Sequence, residues 1–171
     1  MEISFDNINE HTIPMDDSSW KWRFNGEHYE KLPEIHLNQL RPLDKKASNF
    51  LWDYISNTNL HSDVPFKKGF FRNIDKAKSF EGNDKDIKKW LYQRGIAFDK
   101  EVYLSRQPND AIIVPWKLLI KYFDVFGWDD ITVIDQSLNW ALLFYHEYEV
   151  YFGTNKDFIP SDAFVDIDFI W

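Results

Sequence analysis

The chain has 171 residues and no cysteine, which excludes disulfides, thiol nucleophiles and thiolate-bound zinc, and its length points to one domain with its own core. Aromatic residues make up 18% and include eight tryptophans, far too apolar a composition for a disordered chain. A formal net charge of −8 argues against binding by phosphate neutralisation, and no apolar run reaches the length of a membrane span.

Residues 1–10 lack the charged-then-apolar layout of a signal peptide, so a cytoplasmic location is expected. Ile3 to Phe5 reads as a short strand, followed by a polar loop ending in Asp16-Asp17-Ser18-Ser19. Trp20, Trp22 and Phe24 alternate with Lys21 and Arg23, and this period of two predicts a half-buried strand. Asn25-Gly26 then predicts a turn. A helix is expected from Pro42 to about Asn57, because Leu43, Ala47, Phe50, Leu51, Tyr54 and Ile55 form one apolar stripe.

Residues 60–83 show no clear element; Phe66, Phe70 and Phe71 stand as anchors among basic side chains. A second helix is expected from Asp84, as N-cap, to Arg94, with Ile87, Trp90 and Leu91 inward and Gly95 as the stop. Val102 to Arg106 and Ala111 to Val114 read as a hairpin around Pro108-Asn109-Asp110. A third helix opens at Pro115 and closes at Gly127. Three strands follow, Ile131 to Asp135, Asn139 to Tyr145 and Tyr148 to Phe152, and their short connections require antiparallel pairing. Val165, Ile167, Phe169 and Trp171 alternate with Asp166 and Asp168, which predicts a last strand with an acidic face. Together these elements predict a single α+β domain over residues 1–171, an antiparallel sheet of about five to six strands with about three helices packed on it.

No pattern of catalytic or metal-binding residues emerges. The five histidines, His11, His28, His36, His61 and His146, form no zinc motif, and nucleophile-elbow, Ser-x-x-Lys and phosphate-loop motifs are all missing. His146 beside Glu147 and Glu149 is the best single acid–base candidate, against the plainer reading of a hairpin turn. Asp124, Asp129, Asp130 and Asp135 lack the spacing of a calcium loop and read as a solvated acidic rim. The basic and aromatic residues between Lys67 and Arg94 read as an exposed face with acids interspersed rather than a nucleic-acid site. No metal, cofactor or membrane is expected as a partner.

Two stretches carry a resemblance. Trp20-Lys21-Trp22-Arg23-Phe24, with Leu32-Pro33-Glu34, Leu40-Arg41-Pro42-Leu43 and Leu51-Trp52-Asp53-Tyr54-Ile55-Ser56, resembles a family of small bacterial proteins known only as a domain of unknown function. Trp116, Asp135, Asn139-Trp140 and the run from His146 to Phe152-Gly153 are similar in style to it, and also to bacterial immunity proteins, whose sheets often end in an aromatic–Gly pair. The resemblance implies a bacterial origin and a compact cytoplasmic domain; it implies no catalytic residue.

Two readings of function stay open. One is a non-enzymatic interaction protein, such as an immunity-type inhibitor of a basic toxin, because residues 102–171 carry four Lys/Arg against eleven Asp/Glu. Its contact residues would be Trp128, Asp129, Asp130, Tyr145, His146, Glu147, Tyr148, Glu149, Tyr151, Asp166, Asp168 and Trp171. The other is a small-ligand-binding or enzyme domain with an aromatic pocket around His146.

Overall fold

A computed structural model describes residues 1–127, 129–161 and 167–171, with the backbone alone at Ile167. The protein is α+β, built on one antiparallel sheet. Its strands are β1 (Arg41–Pro42), β2 (Asn73–Lys78), β3 (Glu101–Gln107), β4 (Asp110–Pro115), β5 (Ile131–Ile134), β6 (Trp140–Tyr145) and β7 (Glu149–Thr154). They lie in the order β1-β4-β3-β5-β6-β7-β2, with every pair antiparallel. The described helices are α1 (Lys21–Phe24), α2 (Glu34–Leu37), α3 (Lys45–Ser56), α4 (Asp84–Tyr92), α5 (Trp116–Lys121) and α6 (Phe123–Phe126). The sheet therefore holds seven strands rather than five or six, and six helices are described rather than three. No helix among the described residues is long and apolar enough to cross a membrane.

The sheet is covered on both faces, which is why its central strands are apolar on both sides. On one face Val102, Leu104, Ile112, Val114, Ile131, Val133, Leu142 and Phe144 pack with Trp20, Phe24, Ile87, Leu91, Trp116 and Phe126 of the helical layer. On the other face Ala111 and Ile113 meet Ala47 and Leu51 of α3, and Ile134, Ala141 and Leu143 meet Ile55, Leu60, Phe66 and Phe71. One register row across this second face runs Ser105, Thr132, Leu143, Tyr151, Lys76. Side chains in one row share a face, so Ser105 and Thr132 stand together beneath the end of α3.

The hairpin of β3 and β4 and the three strands β5, β6 and β7 form where the sequence predicts them. Several other expectations are corrected. Trp20 to Phe24 is helical from Lys21, not a strand: Trp20, Arg23 and Phe24 point inward at i, i+3 and i+4, and Trp22 turns outward at 37% exposure. The stretch Ile3 to Phe5 is coil and turn, with the Phe5 ring wedged among Phe50, Tyr54 and Tyr103. The helix expected from Pro42 begins at Lys45, because Pro42 pairs in β1 and Asp44 caps α3 by accepting the Ala47 amide at 2.8 Å. The N-cap position of α4 is Asn83, not Asp84. The expected third helix is two, α5 and α6, broken at Tyr122, where the backbone turns to φ −116° and ψ 29°. In the expected last strand, Ile167–Ile170 is a 3-10 turn with Ile170 buried, while Val165 and Asp166 lie outside the described residues.

Candidate functional site

Eight of the twelve predicted contact residues gather at one end of the sheet. The turn between β6 and β7 carries His146, Glu147 and Tyr148, with Tyr148 in the left-handed region at φ 63°. The Ser79 amide donates to the Tyr148 carbonyl at 2.7 Å, which ties this turn to the end of β2. Tyr145 and Tyr151 lean together beside it, with ring centroids 6.5 Å apart, and the His146 ring lies 4.2 Å from Tyr145. Asp130 accepts from the His146 amide at 2.9 Å and its carboxylate lies 2.8 Å from His146 Nδ1.

Most of the negative charge there is already answered from within the chain. Glu149 pairs with Lys76 at 2.6 Å and accepts from the Tyr151 hydroxyl, and these two bonds hold its pKa below the usual carboxylate range. Asp129 receives Arg23 at 2.9 Å and Arg106 at 2.8 Å. Glu147 is exposed and has no ion pair among the described residues. Asp135 is likewise occupied, accepting from Ser137 and from the Trp140 indole at 2.9 Å. The carboxylates of the expected acidic rim thus serve separate local jobs, and no group of three or more metal-ligating side chains is found among the described residues.

The remaining predicted residues fall elsewhere. Asp168 and Trp171 lie with the helical layer on the other side of the sheet, where Lys121 Nζ donates to the carbonyls of Phe169 at 2.6 Å and Trp171 at 3.2 Å. Trp128 and Asp166 lie outside the described residues. His146 does not stand in a cleft: it sits on the exposed turn, with 55% of its side chain in solvent and its ring engaged by Asp130. This exposure does not favour the aromatic pocket expected around His146.

A cleft does exist on the second face of the sheet, around a different histidine. It has a volume of about 310 Å³ and lies between the C-terminal end of α3, the loop after it and the Ser105–Thr132 pair. The loop is folded back by the Lys67 amide, which donates to the Leu60 carbonyl at 2.6 Å. This brings His61 over the sheet, stacked on Phe66 at 5.7 Å. His61 Nδ1 lies 2.9 Å from the Pro65 carbonyl, and a carbonyl can only accept, so Nδ1 carries the proton. Nε2 therefore accepts the Thr132 hydroxyl, 2.7 Å away. Desolvation lowers the His61 pKa, against smaller opposing effects of the Pro65 carbonyl and Asp130, so the ring is held neutral.

Ser105 completes the cleft. It is 4% exposed, and its hydroxyl has no hydrogen-bond partner. A buried hydroxyl without a partner costs about 1–3 kcal/mol. Sequence spacing offers no signal for this group: His61 and Thr132 are 71 positions apart, and neither sits in a motif.

No protein-family model matches the chain, and no curated protein or solved structure matches it either.

Proposed function

We propose that the protein is a non-enzymatic interaction protein that docks a protein partner on the β6–β7 end of its sheet, an immunity-type inhibitor of a toxin being the class this reading fits. The observation that carries it is the pairing of two exposed aromatic side chains there. Tyr148 is 53% exposed and Phe80 is 63% exposed, and the hydrogen bond from Ser79 to Tyr148 sets their backbones side by side. Exposed aromatic groups rimmed by charge are typical anchors of protein interfaces. The internal ion pairs change the expected role of charge. With Asp129, Asp130 and Glu149 engaged inside the chain, Glu147 on the turn and Glu81 beside Phe80 have no ion pair among the described residues and can meet a basic side chain, and affinity rests on the aromatics.

The test compares the wild type with a Tyr148→Ala/Phe80→Ala double variant, both checked for folding by near-ultraviolet circular dichroism. Each is co-expressed with the basic proteins encoded next to it. The reading expects a stoichiometric complex with the wild type that the double variant loses. A complex held equally by both, or none with any neighbour, counts against it.

A further inference from the structure

The geometry points to a second site, independent of the β6–β7 surface: the cleft of His61, Ser105 and Thr132 binds a small uncharged molecule that has an apolar ring and one hydrogen-bond acceptor. Three observations carry this. The first is the unpartnered Ser105 hydroxyl, more than nine-tenths buried and lining the cleft. Its oxygen is closed to solvent and has no acceptor among the described residues, so a turn of the serine rotamer toward the cleft would let it donate to a ligand oxygen without displacing another bond.

The second is the absence of charge in the lining. Ile55, Leu60 and Trp52 form the apolar part, His61, Ser105 and Thr132 the polar part, and the other three lining residues are two serines and an asparagine. His61 is fixed as a neutral donor to Pro65 and acceptor from Thr132, so it supplies no cation. A charged ligand would lose its hydration here without meeting a counter-charge, whereas a neutral one would not.

The third is shape. A volume of about 310 Å³ lies at the lower end of the range of small-molecule sites. Trp52, 36% exposed at the mouth, offers a flat face against which a ring can settle, while the Ser105–Thr132 pair forms the floor. Thr132 spends its proton on His61 and keeps lone pairs for a ligand donor, so an amide or an alcohol matches the floor on both counts.

The experiment uses three molecules of one shape and different charge: benzamide, benzoate and benzamidinium. Each is titrated into the full-length wild-type protein and followed by backbone amide chemical shifts. A fragment of this size binds in the millimolar range. Benzamide is expected to move the resonances of Ser105, Thr132 and Leu60, and to bind roughly tenfold or more tightly than either charged isostere. Ser105→Ala is expected to weaken benzamide about fivefold to tenfold, the worth of one hydrogen bond. Trp52→Ala, at an exposed position where folding is not at stake, is expected to weaken it as well. The inference is overturned if benzamide moves none of these resonances, if a charged isostere binds as tightly, or if Ser105→Ala binds benzamide like the wild type. The charge series needs only the wild type, so a misfolded variant leaves the test intact.

Discussion

Gly153 lies directly under the Phe71 ring: a Cβ added to it would fall 2.1 Å from a ring carbon. Phe71 cannot withdraw, because it is buried and held edge-on by Phe66 at 5.0 Å and Phe70 at 4.9 Å. The glycine after Phe152 is therefore a matter of space and not of backbone angle. Gly153→Ala should destabilise the fold by about 1–3 kcal/mol, as overpacking of a filled core does. Urea unfolding measures this, and a variant within error of the wild type would show that the ring can shift.

Arg23 is 2% exposed and is the most deeply buried cation described. It donates to the Val125 carbonyl at 2.5 Å and to Asp129 at 2.9 Å, and it lies 5.2 and 4.6 Å from the ring centroids of Trp20 and Trp22. Arg106 bridges the same Asp129 to Asp110, which also accepts from Ser19. The network fastens the N-terminal segment to the sheet. Arg23→Met should cost about 2–3 kcal/mol, chiefly by leaving the Val125 carbonyl without its donor. The cost stays below that of breaking a fully buried pair because Asp129 is 42% exposed and keeps Arg106. Arg23→Lys should recover only part of the loss, since one ammonium cannot reproduce the two-armed fork. Chemical denaturation of the pair of variants checks both statements.

Stability should fall in two steps as the solution is acidified. Burial lowers the pKa of His61, and burial with Lys121 and Lys117 lowers that of His36, from an ordinary 6.5. The unfolded chain therefore takes up protons that the folded chain refuses, so stability is complete above 6.5 and declines as pH drops toward the folded values. Asp44 acts lower down. Burial raises its pKa, but the Ala47 amide and His11 lower it by more, so its contribution holds above 3.8 and is lost as pH falls through its folded value. Urea midpoints measured between about pH 8 and pH 5 should decline, and His61→Gln should flatten part of that decline. An unchanged slope in His61→Gln would remove His61 from the account.

Asp44 also makes a prediction at neutral pH. Its carboxylate accepts from the Ala47 amide at 2.8 Å and lies 3.0 Å from His11 Nδ1, so it caps α3 and holds the N-terminal segment against it. Asp44→Ala should cost about 1 kcal/mol, the usual worth of an N-cap. Asp44→Ser should restore most of it, because the hydroxyl can still accept the Ala47 amide. Thermal unfolding of the two variants separates the cap from the contact with His11.

Elements that bury a regular stripe were readable from the sequence. The α3 stripe of Ala47, Leu51 and Ile55, and the doubly apolar runs of β4, β5 and β6, announce themselves because packing on a flat sheet demands a fixed period. β2 was invisible because Asn73–Lys78 is an edge strand, exposed along nearly its whole length, and shows no alternation; its Lys76 and Lys78 are what an open edge tolerates. Trp20 to Phe24 was misread because Trp-Lys-Trp-Arg-Phe fits a period of two as well as an i, i+3, i+4 face, and only the buried role of Arg23 decides between them. Around the candidate surface, Tyr145, His146, Tyr148, Glu149 and Tyr151 were found together because one hairpin contains them all. The cleft was not, because His61, Ser105 and Thr132 meet only through the folding back of a loop that has no periodicity of its own.

The strand order carries a consequence for how the chain is made. Both edges of the sheet, β1 and β2, come from the first half of the sequence, while the five strands between them all come from the second half. Apart from the bridge of Thr12 to Leu43, the first hundred residues contain no strand pairing among themselves. On the ribosome, the early segments emerge long before the surface they will lie against. The last ladder to close joins Asn73 to Thr154 across a long span of chain, the kind of distant pairing that slows folding. Until β3 and β4 are released, β1 and α3 have no sheet to join, and β2 must wait longer still, for β7, so the domain is completed from its C-terminal half outward.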